Sequence, residues 1–442
     1  MSIKKNTMNL KKSLLITASA TTLLSSFSPI LSAQAKSPEI DAEASIVVDY
    51  NTGQILKGEN IDEPLGVASI TKMIVEYIVF EEIEAGNIEW DRQINISDYA
   101  YEISQNYVLS NVPLKNGASY SLEELYQAMA IYSANGATIA IAEAISGSES
   151  NFVDRMKETV ESFGIEDAKL YNATGLNNSY LDENIYPGSD SNDENSMSAK
   201  SIAKIANRIL KDYPEILETA SIPKKVFREG IADEEIEMKN WNWMLEGLLF
   251  EKTGVDGLKT GTTDFAGATF TGTAVKGDRR VITVVLNSGD DRTTRFRETA
   301  KLMDYGFDHF KEENVTENWE EKLDYQPLTV IDGKEDVLNF EPSEELEMLI
   351  QLGDKTDEAI SYRIEWDEDI ISDEEAIEAP VSEGTELGKL MVNYSGNEWG
   401  YIEGDEEASV TLIASEEIEQ AGIFSRMWTS FIDFFKGLKD RF

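Results

Sequence analysis

Three short motifs in this chain place serine, lysine and asparagine where acyl transfer to a serine hydroxyl needs them. In chain order they are Ser69-Ile70-Thr71-Lys72, Ser133-Ala134-Asn135 and Lys259-Thr260-Gly261. A serine hydroxyl becomes a useful nucleophile only when a neighbouring group accepts its proton. The chain has one histidine and no cysteine, which excludes a cysteine nucleophile and a zinc site built from two or three histidines. Lysine is therefore the base that remains to be considered.

The first motif is expected to open a helix that runs from Ser69 to about Glu84. Apolar residues recur at helical spacing over this range, and Gly86 follows as a stop signal. A spacing of three residues puts Ser69 and Lys72 on one face of the helix, where the amine can reach the hydroxyl. Burial and the positive end of the helix would lower the lysine pKa towards that of a useful base. The helix start also points a backbone N–H at a developing oxyanion.

None of the three patterns is unique in the chain, so their context has to select among the copies. The same patterns recur at Ser2–Lys5, Ser201–Lys204, Ser221–Lys224, Ser104–Asn106, Ser395–Asn397 and Lys252–Gly254. The other Ser-x-x-Lys copies lie near the N-terminus, within a helical pattern, or across Pro223, which disfavours a helix. Ser133 and Asn135 fall at a predicted break between two helices, and Lys259 leads into a predicted strand whose edge could align an extended peptide.

The elements around the motifs predict a mixed domain over residues 36–311. Strand patterns at 44–50, 268–275 and 280–286 enclose helical patterns at 69–84, 121–131, 137–145, 150–163, 198–212 and 293–310. Because the helices lie between early and late strands, we predict an α/β (α+β) fold with an antiparallel sheet flanked by helices. His309, in the last helical pattern, is expected to pack or face solvent rather than to take part in catalysis. The stretch 183–195, rich in Asn, Asp and Ser, is expected to be a solvated loop.

The rest of the chain predicts a second domain and a separate C-terminal segment. Residues 312–324 are charged and poor in apolar pattern, which suggests a linker. Short strands separated by turn residues predict a small all-β domain over 325–415. The segment 416–442 is expected to contain an amphipathic helix with many aromatic residues on one face and a few basic residues. This pattern favours association with a membrane surface, and packing on the β domain is the alternative.

The N-terminus predicts that the protein is exported. Four lysines precede an apolar run over 14–31, and Ala33-Gln34-Ala35 has the small residues of a cleavage site. We therefore predict a signal peptide over 1–35; an uncleaved membrane helix is the alternative, which Pro29 and the many Ser and Thr residues disfavour. The net charge of −44 gives a surface that repels nucleic acid, so no nucleic-acid partner is expected.

The sequence around the first and third motifs resembles the low-molecular-mass penicillin-binding proteins that act as D-alanyl-D-alanine carboxypeptidases. The resemblance is strongest over Pro64–Met73 and Asp256–Gly267 and covers most of 40–310. Supporting matches lie at Asp49 to Gly53, Thr174-Gly175-Leu176, Ser196 to Ala199 and Asp304 to Phe307. The resemblance implies a serine β-lactamase/transpeptidase-like domain, and the predicted signal peptide, β domain and terminal helix repeat the overall plan of that family.

The resemblance also implies a role for each motif residue. Ser69 would be the acylated nucleophile and Lys72 its base, while Ser133 with Lys259 would carry a proton to the leaving D-alanine. Backbone N–H groups of Ser69 and Thr262 would form the oxyanion hole. The substrate-binding residues would be Asn135 on the substrate amide, with Lys259, Thr260, Gly261 and Thr262 along the third motif towards the terminal carboxylate. Arg292 is a further candidate for that carboxylate, although Arg295 and Arg297 are too near in sequence for spacing to decide.

These roles imply an exported cell-wall enzyme without a cofactor. Its substrate would be a peptidoglycan stem peptide ending in D-Ala-D-Ala, β-lactam antibiotics would be covalent inhibitors, and its place of action would be the outer face of the cytoplasmic membrane. A serine β-lactamase is the first alternative, but residues 136–258 contain no convincing Glu-x-x-Leu-Asn segment to supply a deacylating base. The second alternative is a catalytically silent protein that binds the wall and retains the shape of the site.

Overall fold

The computed structural model describes residues 37–422 except 318, 324, 373, 374, 405 and 406. The predicted signal peptide and residues 423–442 of the predicted amphipathic segment lie outside the described residues. Among the helices that are described, none has the length and apolar character needed to cross a membrane. The described residues form an N-terminal domain that carries the three motifs and a C-terminal domain made mostly of strands.

The N-terminal domain contains both strands and helices. Its strands are β1 (Ala44–Asp49), β2 (Ile55–Glu59), β3 (Leu65–Gly66), β4 (Gln93–Asn95), β5 (Ser119–Ser121), β6 (Ser196–Met197), β7 (Lys224–Phe227), β8 (Ile236–Lys239), β9 (Val255–Thr263), β10 (Gly267–Lys276) and β11 (Arg279–Leu286). Its helices are α1 (Lys72–Glu84), α2 (Asp98–Ser104), α3 (Leu122–Tyr132), α4 (Asn135–Ser146), α5 (Glu149–Ser162), α6 (Ala199–Asp212), α7 (Ile216–Ala220) and α8 (Thr294–Asp308). A 3-10 turn over Ala68–Thr71 leads directly into α1.

A five-stranded antiparallel sheet joins the two ends of this domain. Its order is β2-β1-β11-β10-β9, so early and late strands of the chain lie side by side. Every residue of β1 is buried, because α6 and α8 both pack on the central strands. The predicted antiparallel sheet with flanking helices is confirmed. The short strands form separate two-stranded pairs, β3 with β6, β4 with β5 and β7 with β8.

Helix α1 lies in the middle of the helical part of the domain. Residues Lys72 to Phe80 are all buried, and α1 contacts α3, α4, α5 and α6. A helix enclosed on every side is normally apolar, and within the buried stretch from Lys72 to Phe80 the charged residues are Lys72 and Glu76. The fold therefore holds two ionisable groups inside its core, one helical turn apart.

The C-terminal domain has its own sheets and its own apolar core. Its strands are β12 (Phe310–Asn314), β13 (Leu328–Ile331), β14 (Val337–Leu338), β15 (Phe340–Pro342), β16 (Glu347–Gln351), β17 (Ile360–Trp366), β18 (Ala376–Glu378), β19 (Glu386–Tyr394) and β20 (Ala408–Ala414). Two short helices are α9 (Trp319–Leu323) and α10 (Thr356–Ala359). The strands form sheets of order β14-β13-β18, β15-β20-β19-β17 and β12-β16. The two domains touch where the Gln54 side-chain amide donates to the Leu349 carbonyl and accepts from its N–H, both at 2.9 Å.

Two predicted boundaries of this region are wrong. Residues 312–324 are not a linker, because most of β12 and all of α9 lie there and the buried Val315 and Trp319 belong to the core of the C-terminal domain. Residues 416–422 do not begin a helix. They run along the domain in an extended form, with Ile418 bridged to Val381 and Gln420 bridged to Gly333.

Candidate active site

The turn before α1 presents Ser69 to a cleft. Ser69 is half-buried and lines a cleft with a volume of about 390 Å³, together with Ser133, Asn135, Thr260, Gly261 and Thr262. The preceding residue, Ala68, has φ of +46°. A non-glycine residue in this region costs about 1–3 kcal/mol, and such strain is often found at functional sites. The structure thus brings residues of all three motifs to one cleft.

Lys72 is completely buried and has three oxygen partners. Its Nζ lies 2.9 Å from Ser69 Oγ, 2.8 Å from Asn135 Oδ1 and 2.6 Å from the Thr174 carbonyl oxygen. The orientation of the Asn135 amide is set by its Nδ2, which donates to the Ser110 carbonyl at 3.0 Å. Two of the three partners of Lys72 are therefore oxygens that can only accept.

This arrangement determines where a neutral Lys72 points its lone pair. A neutral amine has two N–H donors and one lone pair, whereas an ammonium has three donors and none. Asn135 Oδ1 and the Thr174 carbonyl take the two N–H groups of the neutral amine. The remaining lone pair then faces the Ser69 hydroxyl, which is the partner able to donate. The geometry of the site is thus that of a base ready to accept the Ser69 proton.

Electrostatics favour the neutral form of this lysine. Burial lowers the pKa of Lys72 well below its ordinary value, and the nearby charge of Lys259 lowers it further. Glu149 and Glu76 oppose this effect with their negative charge. Burial in turn raises the pKa of the Glu76 carboxyl, against the influence of the two lysines. The site therefore balances two buried lysines against two buried carboxyl groups.

The second motif lies where α3 ends and α4 begins. Ser133 follows α3 in a left-handed conformation with φ of 58°, and this sharp turn directs its buried side chain towards Lys259. Lys259 Nζ donates to Ser133 Oγ at 2.9 Å. Burial lowers the pKa of Lys259, while the charge of Glu76 acts in the opposite direction. A hydroxyl beside a readily deprotonated lysine is suited to passing a proton.

The third motif lies on β9, directly beside the turn that contains Ser69. At Gly261 an added Cβ would approach the Val67 carbonyl oxygen to 2.6 Å and Ala68 Cβ to 3.1 Å. Only glycine allows the strand to run this close to the turn. Thr260 and Thr262 flank Gly261 and line the cleft.

The structure separates the three arginines that sequence spacing could not separate. Arg295 is only 2% exposed and donates to the Gly261 carbonyl at 2.7 Å and to Thr262 Oγ1 at 2.9 Å. Burial lowers its pKa to about 10, which leaves it charged at neutral pH. Arg292 is exposed and lines the cleft, whereas Arg297 pairs with Asp291. Arg295 therefore supports β9 through its hydrogen bonds, and Arg292 is the exposed one of the two arginines that line the cleft.

Comparison with known proteins identifies the family. Residues 31–290 match the profile of the D-alanyl-D-alanine carboxypeptidases, Peptidase S11. The chain belongs to this family. A serine peptidase with this activity is also what the sequence predicts, so the predicted family, fold class and enzyme class of this carboxypeptidase are confirmed.

Relatives resemble the carboxypeptidase along most of its length. D-alanyl-D-alanine carboxypeptidase DacF of Bacillus subtilis is 26% identical over 88% of this chain and 91% of its own. DacC of Escherichia coli is 29% identical over 89% of this chain and 88% of its own. The crystal structure of a peptidoglycan synthesis regulatory factor (PBP3) of Streptococcus pneumoniae has a TM-score of 0.68 and 37% identity, and covers 86% of this chain and 100% of its own. Penicillin-binding protein D2 of Listeria monocytogenes, solved with ampicillin bound, has a TM-score of 0.50 and 27% identity over 61% of this chain and 98% of its own.

Sequence reasoning missed several residues that support the carboxypeptidase site. The Thr174 carbonyl touches Lys72, but a backbone carbonyl leaves no signal in residue types. The predicted solvated loop 183–195 is wrong at its end, because Asn195 is buried and its Nδ2 donates to Thr71 Oγ1 and to the Asn172 carbonyl. A buried asparagine at the end of a polar stretch cannot be distinguished from solvated neighbours by composition. His309, as predicted, is away from the cleft and stacks on Tyr305.

Gly175→Ala is expected to destabilise the carboxypeptidase and to disrupt the turn that contains Ser69. Gly175 has φ of +76°, and an added Cβ would lie 1.8 Å from the Ala68 carbonyl oxygen. A backbone clash of this size cannot be relieved by a side-chain rotation, so we expect a loss of about 3 kcal/mol or more of unfolding free energy. Denaturant unfolding and the acylation rate with a labelled penicillin measure the two effects.

Gly147→Ala is the matched control for this substitution. Gly147 has a similar φ of +80°, but an added Cβ there would meet no atom within 4 Å. Its cost should be limited to the left-handed backbone, about 1–2 kcal/mol. Equal destabilisation of both variants would contradict the steric explanation.

Proposed function

We propose that this carboxypeptidase removes the terminal D-alanine from peptidoglycan stem peptides through an acyl-enzyme on Ser69. The observation that carries the proposal is the setting of Lys72, whose lone pair is directed at the Ser69 hydroxyl by two acceptors. A lysine of lowered pKa at this distance meets both requirements for a general base, reach and protonation state.

The acylation step follows from these positions. Ser69 Oγ attacks the carbonyl carbon of the penultimate D-alanine while its proton passes to Lys72. Backbone N–H groups of Ser69 and Thr262 stabilise the oxyanion that forms. When the C–N bond breaks, Ser133 gives its proton to the leaving amine and receives one from Lys259, which donates to Ser133 Oγ at 2.9 Å. A water molecule then attacks the ester carbonyl and gives one proton back to Lys259 through Ser133. As the ester bond breaks, Ser69 Oγ recovers its proton from Lys72.

Positive charge at the cleft suits a substrate with a terminal carboxylate. Lys259 lies on β9, Arg295 donates to the Gly261 carbonyl of the same strand, and Arg292 lines the cleft, in a protein whose net charge is −44. A local positive field within a negative surface directs an anionic group to this place. Thr260 and Thr262 are the hydroxyl donors proposed for the carboxylate. Arg292, an exposed arginine that lines the cleft, is the cation proposed for it.

Asn135 lines the cleft and also contacts the base. Its side-chain carbonyl faces Lys72 and its Nδ2 donates to the Ser110 carbonyl. In this position it orients the base. Its Nδ2 has a second N–H, which is proposed to contact the substrate amide, as the family resemblance implies.

The same chemistry accounts for inhibition by β-lactams. Attack of Ser69 on the lactam carbonyl opens the ring, and the amine stays attached, so it does not leave the site as D-alanine does. The ampicillin-bound structure of the Listeria relative supports this assignment. We also propose that the exported chain works in the cell wall and holds to the membrane surface by its C-terminal segment, whose aromatic and basic residues fit an interface.

The function is tested by two measurements on the full chain. Incubation with a peptide ending in D-Ala-D-Ala should release D-alanine, and a labelled penicillin should be found on Ser69 by mass spectrometry of the digest. Rapid turnover of the penicillin without release of D-alanine from the peptide would favour a β-lactamase. Absence of both reactions would leave a silent wall-binding protein, and a label on another serine would refute the site.

A further inference from the structure

Glu149 is a buried carboxylate outside the three motifs. It is the first residue of α5, after the capping Ser148, and is 6% exposed. Its Oε1 accepts from the Ala173 N–H at 2.9 Å, and its Oε2 accepts from the Tyr99 hydroxyl at 2.6 Å. Removing a carboxylate from water is costly unless its oxygens are hydrogen-bonded. The start of α5 and these two donors offset part of that cost, which indicates a position with a specific task.

Glu149 holds the backbone two peptide units before the carbonyl that contacts the base. Ala173 precedes Thr174, whose carbonyl oxygen lies 2.6 Å from Lys72 Nζ. On the other side of this turn, Asn172 Oδ1 accepts from the N–H groups of Thr174, Gly175 and Leu176. The turn is therefore held at two places: Glu149 accepts from the Ala173 N–H, and Asn172 accepts from the three N–H groups that follow.

We propose that Glu149 is a positioning residue that fixes the Thr174 carbonyl and thereby the orientation of the Lys72 amine. The proposal rests on the proposed function, because it assigns Lys72 the role of base. If this turn shifts and the Thr174–Gly175 peptide rotates, Lys72 loses one of its two fixed acceptors and its lone pair is no longer confined to Ser69. Misplacement of a reacting group by about 1 Å can cost about 100-fold in rate.

Glu149 has a second, electrostatic effect that can be separated from the first. Burial raises the pKa of Glu149 to about 6, so it is charged at neutral pH, and its charge raises the pKa of Lys72. The groups that face Glu149 are Tyr99 from α2, Glu143 from α4 and Lys72 from α1. Loss of the Glu149 charge should therefore lower the pKa of Lys72 and shift the acid limb of kcat/KM to lower pH.

Three substitutions separate position from charge. Glu149→Gln keeps the shape and an acceptor for the Ala173 N–H but removes the charge. Glu149→Asp keeps the charge but is one methylene too short to hold both donors. Glu149→Ala removes both. Glu143→Gln is the control, because Glu143 accepts from Ser97 Oγ at 2.7 Å in the same region and is not among the groups that shift the pKa of Lys72.

The readouts are kcat and KM for D-alanine release, the rate of penicillin acylation per folded molecule, and the pH profile of kcat/KM. We expect Glu149→Asp and Glu149→Ala to lose about 10-fold or more in kcat and in acylation rate with little change in KM. Glu149→Gln should stay within about 3-fold of wild type and show the acid limb at lower pH. Glu143→Gln should change neither quantity.

Several outcomes would overturn the proposal. One is a folded Glu149→Ala variant with the wild-type acylation rate. Another is a loss of activity that merely follows the loss of folded protein in thermal unfolding. If the alanine variant does not fold, equal acylation rates in Glu149→Asp and Glu149→Gln would show that Glu149 does not position the Thr174 carbonyl. Failure of the wild type to release D-alanine, with normal penicillin acylation, would instead refute the proposed substrate while leaving the Glu149 effect measurable.

Discussion

Ser69→Ala is expected to abolish both covalent labelling by penicillin and measurable release of D-alanine. Removal of an activated nucleophile costs far more than loss of a binding contact, and we expect kcat to fall by at least about 10⁴-fold. Lys72 would keep its contacts with Asn135 and the Thr174 carbonyl. The cleft should therefore still bind the peptide, so that only the chemical step is lost.

This loss can be distinguished from damage to the fold. Ser69 is half-buried in a turn, and its hydroxyl contacts Lys72, so the unfolding midpoint should change little. Ser221→Ala is the matched control, because Ser221 and Lys224 repeat the same spacing at the end of α7 and the start of β7. Equilibrium binding of the peptide, measured beside intact mass after penicillin treatment, completes the test. Labelling of Ser69→Ala at the wild-type rate would show that another residue is acylated.

Much of the catalytic set was predictable because its geometry is local. Ser69 and Lys72 are three residues apart at a helix start, and that spacing alone brings their side chains together. Ser133 lies at a helix end, where a sharp turn is expected, and the structure shows the left-handed conformation there. The strand that contains Lys259 was not predicted: Lys259 was expected to precede the strand at 268–275, and the structure places it on β9, which pairs with that strand. For Ser69 and Ser133, secondary structure decided among copies of the motif.

Other parts of the site depend on contacts that leave no local pattern. The Thr174 carbonyl reaches Lys72 across a sequence separation of 102 residues. Arg295 was indistinguishable by spacing from Arg292 and Arg297, because only the packing of α8 on β10 and β11 shows which of them is buried. Glu149 would be read from sequence as an ordinary acidic residue in the first turn of a helix. Its burial follows from how α2, α5 and the turn before Thr174 meet.

The errors in the C-terminal domain have a related cause. Strand β12 has one buried residue, Phe310, followed by charged or polar ones that are half-buried or exposed. Such a strand resembles a solvated linker in composition, although its backbone pairs with β16 along its full length. In α9, Trp319 is buried in the core and Leu323 packs against it. Two apolar residues are too few for a periodic pattern to be recognised.

Lys72→Met tests the base directly, because methionine has a similar length but no amine. We expect penicillin acylation to slow by about 10³-fold or more, since general-base catalysis contributes roughly 10²–10⁴-fold. Lys204→Met, at the lysine of the Ser201 copy, is the control and should leave the rate unchanged. A second experiment adds small alkylamines to Lys72→Ala. The rate of penicillin acylation should then recover in proportion to the concentration of the unprotonated amine. A folded Lys72→Met variant that acylates at the wild-type rate would require another base.

The same substitution has a signature in the pH dependence of stability. Burial lowers the pKa of Lys72 in the folded protein below its ordinary value of 10.5. Between the lowered folded value and the ordinary value, the unfolded chain binds the proton that the folded protein has released, so wild-type stability rises with pH over this interval. Lys72→Met cannot show this contribution, because methionine does not titrate. The stability difference between wild type and variant, from urea unfolding at a series of alkaline pH values, should therefore move in favour of the wild type as pH increases. A stability difference that does not change with pH would mean that Lys72 keeps its ordinary pKa in the folded protein. Lys72 would then not be a neutral base beside Ser69.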